Sequence, residues 1–124
     1  MIPTTLYDVS VVTNQGKPFN FAIKEFLDSF IGNPSTLSLV DEPEMMEDPM
    51  ERAYMAGVAE HLSQYLNGQA PEWSNDPHYF LSQPVVFGRN KSKVQCIVDT
   101  PTAFRRRLLF CGLTLTKLHS YNSK

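Results

Sequence analysis

The side chains able to do chemistry fall into a few scattered groups. Three histidines, His61, His78 and His119, share no metal-binding spacing of the His-Glu-x-x-His kind, which sets two imidazoles on one helix face. Glu60 and His61 are adjacent, so on a helix their side chains point apart, and His61 sits on an apolar stripe where a hydrogen-bonded core histidine is expected. Cys111 lies in the apolar run Phe110-Cys111-Gly112, where burial raises a thiol's pKa and makes it inert. Its spacing from Cys96 is compatible with a disulfide, although two buried thiols in a reducing cytosol are the expected state. Six carboxylates occupy the 11 positions of DEPEMMEDPME, Asp41 to Glu51. Clustered acids can hold a hard cation, but this spacing fits no loop motif, and a solvated acidic loop is expected. No glycine-rich phosphate loop and no Gly-x-Ser-x-Gly elbow is present. The residues therefore predict no catalytic set, no metal site and no cofactor, and the chain is expected not to be an enzyme.

The strongest unexplained feature is TPTAFRRRLLF, residues 100–110, with three arginines against an apolar run. On a helix Arg105, Arg106 and Arg107 span about 200° and cannot share a face. Phe104 and Leu108, four apart, mark the buried side. One arginine must therefore lean toward the core or the acidic loop, where it needs a carboxylate or several carbonyls to offset desolvation. DEPEMMEDPME is the internal candidate. The others face solvent or an anion, which makes a cationic patch with Arg89, Lys91 and Lys93 nearby.

These groups need elements to position them. Residues 1–16, with Val9, Val11 and Val12 in loose alternation and a turn signal at Asn14-Gln15-Gly16, predict an extended arm or a short strand. Residues 17–124 then form one helical domain. Phe19, Ala22, Ile23, Phe26, Leu27 and Phe30 recur at helical spacing behind Pro18, and Gly32 with Asn33-Pro34 ends the run. Asp48, Pro49 and Glu51 start the clearest helix with a capping pattern. Its stripe is Ala53, Tyr54, Gly57, Val58, His61, Leu62, Tyr65 and Leu66, and Gly57 is expected to admit a close neighbour.

QAPEWSNDPHYFLSQPVVFG has three prolines among four aromatics. It predicts a segment that wraps the core on Trp73, Tyr79, Phe80 and Phe87, with one helical turn over His78 to Ser82. Short helices are expected over 91–98 and from Thr100-Pro101 through the arginines, and Leu108 to Leu118 alternates enough to be a strand. The fold class expected is mainly α, a small single-domain helical protein with a proline-rich wrapping segment and a possible short N-terminal or C-terminal strand.

At 124 residues, 42% of them hydrophobic and with a net charge of −2, the chain is long enough for its own core. No apolar run is long enough to span a membrane, and MIPTTLYDVSVV lacks the basic and apolar regions of a signal peptide, so a cytoplasmic protein is expected. The charge is uneven. Residues 1–60 hold ten acids and three bases, and residues 61–124 hold three acids and eight bases. Such a split marks either a partner-binding face or two halves that neutralise one another.

AYMAGVAEHLSQYLNGQAPEWSNDPHYFLSQPVVF (53–87) followed by DTPTAFRRRLLF (99–110) resembles a family of small, poorly characterised bacterial proteins. Their pattern is a helix of A-x-x-A-x-A-E-H-L type, a P-x-W segment, F-L-x-x-P and S-P-x-x-F-R-R-R, matched here by Ala56 to Leu62, Pro71 to Trp73, Phe80 to Pro84 and Thr100 to Arg107. Thr100 stands for the usual serine, and Val85-Val86 stands where a tryptophan is common. Such proteins are often encoded beside a nucleotidyltransferase-like protein in an arrangement like a toxin–antitoxin pair. The resemblance implies a non-enzymatic, antitoxin-like interaction protein that restrains a nucleotidyltransferase-type enzyme. Arg105, Arg106, Arg107, Trp73, Phe80 and Arg89 are the expected partner-binding residues, arginine and tryptophan being the types that dominate interface energy. For Trp73, core packing is the competing expectation. The alternative function is a nucleic-acid-binding regulator using the arginine cluster, a reading that the sequence pI near 5.9 disfavours.

Overall fold

A computed structural model describes residues 2–66, 68–86 and 100–110. The expected helix over 91–98, most of the expected strand at Leu108 to Leu118, Phe87, Arg89, His119 and both cysteines lie outside the described residues. The described part is mainly helical, as expected.

The first element corrects the sequence reading, because residues 6–14 are neither arm nor strand. Helix α1 runs Leu6–Asn14, and Thr5 caps it by accepting the Asp8 N–H at 3.0 Å. Asp8 reaches back to the Thr4 N–H at 3.2 Å and adds an acid to the first turn. Leu6, Val9 and Val12 recur every three residues and are buried. That spacing outweighs the strand preference of the β-branched residues, since propensity yields to a buried face. The turn signal at residues 14–16 is a helix stop. Gly16 has φ +112°, its N–H bonds the Thr13 carbonyl, and the Lys17 N–H bonds the Val12 carbonyl, both at 3.0 Å. This is a Schellman cap, whose left-handed residue is usually glycine.

Helix α2, Phe19–Gly32, buries Ala22, Ile23, Phe26 and Phe30 and packs on α1. A connector of residues 33–48 follows, irregular except for a 3-10 turn at Thr36–Ser38. Helix α3 is Pro49–Leu66, with Asp48 accepting the Met50 N–H at 2.8 Å. Every residue from Ala53 to Glu60 is buried. The sequence stripe predicted one covered face, yet the middle of α3 is covered all round. Its small residues, Ala53, Ala56, Gly57 and Ala59, make room for that. A Cβ on Gly57 would lie 2.4 Å from Cδ1 of Phe104, so the glycine admits the ring itself.

The proline-rich segment wraps α3 as expected, through 3-10 turns at Glu72–Asn75 and Pro77–Tyr79. A fourth helix, α4, is only Thr102–Arg105. It stops before the expected helix end, residues 106–108 form a turn, and Leu108 takes φ +65°. That conformation costs a non-glycine residue about 1 kcal/mol. Strand β2, Leu109–Phe110, then pairs in parallel with β1, Val85–Val86. Thus the expected C-terminal strand is present in its first residues, and no N-terminal strand forms.

Candidate functional site

The arginine triplet divides into three fates. Arg105 closes α4 and is exposed. Arg107 has no exposed surface. Its Nη1 donates to Glu60 Oε1 at 2.7 Å and to the Ala103 carbonyl at 2.7 Å, and its Nη2 donates to the Ser74 carbonyl at 2.7 Å. Arg106 is half exposed, with Nε donating to the same Glu60 oxygen at 2.9 Å and Nη2 to Asn75 Oδ1 at 2.6 Å. Both guanidinium groups lie over the half-buried Phe80 ring, at 5.2 Å for Arg106 and 4.7 Å for Arg107.

The arginine that turns inward therefore does not bind DEPEMMEDPME. Its partner is Glu60, 47 residues earlier on α3. Burial pushes the Glu60 carboxyl up, but hydrogen bonds and charge from Arg106 and Arg107 outweigh it and hold the pKa below the ordinary carboxylate value. Burial lowers Arg107, and Glu60 offsets part of that. The signal for Glu60 was in the sequence: one acid within an otherwise apolar, small-residue stretch of helix has to find a cation. The acidic connector uses a different arginine. Arg52 donates to the carbonyls of Met46 at 2.7 Å, Glu47 at 3.1 Å and His78 at 3.1 Å, fastening the connector to the 3-10 turn at Pro77–Tyr79.

Of the expected partner-binding residues, two are corrected by burial. Arg107 is sealed by its own ion pair. Trp73 is 8% exposed, with its indole N–H donating to the Leu39 carbonyl at 3.2 Å and its ring 5.1 Å from Tyr79. It anchors the connector to the wrap, so the core expectation holds for it. Phe80 is a platform for the two arginines. Arg105 and the outer edge of Arg106 remain at the surface, and Arg89 lies outside the described residues. His61 is half-buried with its ring 6.3 Å from that of Phe104, in keeping with its apolar stripe.

The surface feature that sequence reasoning missed lies on α1 and the connector. Leu37, Val40 and Met45 are 75%, 51% and 60% exposed, and Tyr7 on α1 is exposed as well. The Tyr7 hydroxyl donates to Glu44 at 3.4 Å, the Glu44 N–H donates to Ser10 Oγ at 2.8 Å, and Asn14 donates to the Met45 carbonyl at 3.1 Å. These bonds hold the acidic stretch along α1 with Asp41, Glu42, Glu44 and Glu47 exposed among apolar side chains. At one end, Glu42, Asp76 and His78 each bring one ligand atom within 4.8 Å of the others, a set with metal-binding chemistry.

Compared with family models, with curated proteins and with solved structures, the chain matches none. No helix among the described residues is long and apolar enough to cross a membrane.

Proposed function

We propose that the chain is a non-enzymatic, antitoxin-like protein that binds and restrains a nucleotidyltransferase-type enzyme, and that it does so through the face made by α1 and the connector. One observation carries the reading. Tyr7, Leu37, Val40 and Met45 stand exposed in a stretch that also presents Asp41, Glu42, Glu44 and Glu47. Exposed apolar side chains amid one sign of charge are the makings of a protein interface. An enzyme that handles nucleotides offers a cationic surface to phosphate, and a carboxylate-rich face competes for that surface. The mechanism is occlusion, with apolar contacts supplying affinity and carboxylates supplying charge complementarity.

This moves the contact away from the arginines. Arg107 and Arg106 are committed to Glu60, so the alternative of nucleic-acid binding keeps one fully free cation of the three. The test is to determine the neighbouring open reading frame, co-purify the chain with its product if that is a nucleotidyltransferase-type protein, and titrate that enzyme's activity. Val40→Lys with Met45→Lys should weaken inhibition by at least tenfold at an unchanged melting temperature, while Arg105→Ala leaves it within twofold. Inhibition that ignores the lysine pair, or the absence of a complex at micromolar concentration, rejects the assignment.

A further inference from the structure

We infer that Glu42, Asp76 and His78 form a binding site for a divalent transition-metal ion of the Zn2+ or Co2+ class. The three side chains come from two segments, Glu42 from the connector and the others from either side of Pro77. They offer one imidazole nitrogen and two carboxylate oxygens, a borderline donor set that suits these ions better than the all-oxygen cages of Ca2+ or Mg2+.

Two observations point to a ligand beyond mere proximity. First, the three donor atoms lie within 4.8 Å of one another. Bonds of about 2.0–2.2 Å to one ion bring donors to roughly 3–3.5 Å apart, a closure within side-chain reach. Second, Nε2 of His78 is shut off from solvent and lacks a hydrogen-bond partner. Its nearest carboxylate oxygen, Glu42 Oε2, is 3.8 Å away, too far for a hydrogen bond and suited to an ion between the two. A buried polar atom without a partner is costly, and coordination would satisfy it.

The supports around the site are those that metal ligands usually have. The Tyr79 hydroxyl donates to Glu42 Oε2 at 3.2 Å, and the His78 ring lies 4.1 Å from the Tyr79 ring. Arg52 holds the His78 carbonyl and the Met46 and Glu47 carbonyls at once, which ties the two ligand-bearing segments together. Three protein ligands leave a position open for water or for a side chain of a bound protein. The site shares Glu42 with the proposed interface, yet it needs no partner to form.

The rival explanation is a direct contact of His78 with Glu42 and no ion bound. Calorimetric titration of the full chain with Zn2+ and Co2+ separates the two. It is done in a Cys96→Ser, Cys111→Ser background so that thiols cannot compete. One equivalent should bind, with a visible Co2+ absorption band, a Zn2+-dependent rise in melting temperature, and metal-induced shifts of the His78 ring nitrogens by NMR. Glu42→Gln, which keeps an acceptor for Tyr79, Asp76→Asn and His78→Ala should each weaken binding at least tenfold, with helical content checked by circular dichroism. Absence of saturable uptake overturns the inference. So does uptake that survives all three substitutions, or His78 resonances that Zn2+ leaves unchanged.

Discussion

Replacing Glu60 by leucine strands two cations at once, one of them with no path to water. Arg107 has zero exposure, and Glu60 supplies its only counter-charge among the described residues. Breaking a buried pair from one side costs about 3–5 kcal/mol. Arg107→Met should fall at the lower end of that range or below it, because Arg106 still holds the same Glu60 oxygen at 2.9 Å. It does leave the Ala103 and Ser74 carbonyls without their donor. Arg106→Met should cost about 1 kcal/mol or less, since that side chain is 41% exposed and water screens its pair. Arg105→Met should be within about 0.5 kcal/mol of wild type. Urea unfolding reads all four. With m near ~2 kcal/mol/M, Glu60→Leu lowers the midpoint by about 2 M. Total stability of a domain this size is about 5–15 kcal/mol, so the variant remains measurable. The double variant Glu60→Leu, Arg107→Met should lose less than the two single losses added together, because it leaves no fully buried charge unpaired, the remaining Arg106 being half exposed. Equal midpoints for Arg105→Met and Arg107→Met, or strict additivity of the pair, would refute the burial argument.

Further expectations follow from the same contacts. Glu60 has a folded pKa below its unfolded value, so its stabilisation is present above about pH 4.3 and lost as pH falls through the folded value. Melting temperature should decline in acid, and more steeply for wild type than for Glu60→Gln. Gly57→Ala gains up to about 1 kcal/mol of helix propensity, yet places a carbon 2.4 Å from Phe104, and overpacking that costs about 1–3 kcal/mol should leave the variant destabilised by up to about 2 kcal/mol. Phe104→Leu in the Gly57→Ala background should recover part of the loss in thermal unfolding. Trp73→Phe removes the bond to the Leu39 carbonyl and should cost about 1–2 kcal/mol in urea while leaving partner inhibition unchanged. A large loss of inhibition with normal stability would return Trp73 to the interface.

The sequence by itself determined the elements whose signals are local. Asp48-Pro49 started α3, Gly32 with Asn33-Pro34 ended α2, and the prolines between Pro71 and Pro84 forced a wrap in place of a long helix. Each acts on its own backbone within a turn, so neighbours in sequence suffice to read it. Helix α1 escaped because Val9, Val11 and Val12 fit a strand's alternation, while Leu6, Val9 and Val12 fit a helix's spacing. Which pattern is buried depends on α2, which packs on α1. A continuous helix through the three arginines would also turn one of them inward; one does turn inward, but from the turn beyond α4, which ends at Arg105.

Tertiary structure decided the rest. It chose Arg107, chose Glu60 over the acidic connector, and gave that connector to Arg52. It sealed Trp73 and brought Glu42 to Asp76 and His78. Apart from the Arg52 bonds to Met46 and Glu47, those choices are meetings between residues more than 30 positions apart, and the Arg107–Glu60 pairing depends on where α3 is narrow enough, at Gly57, for α4 to dock. Close packing sets that geometry, and no run of neighbouring residues encodes it.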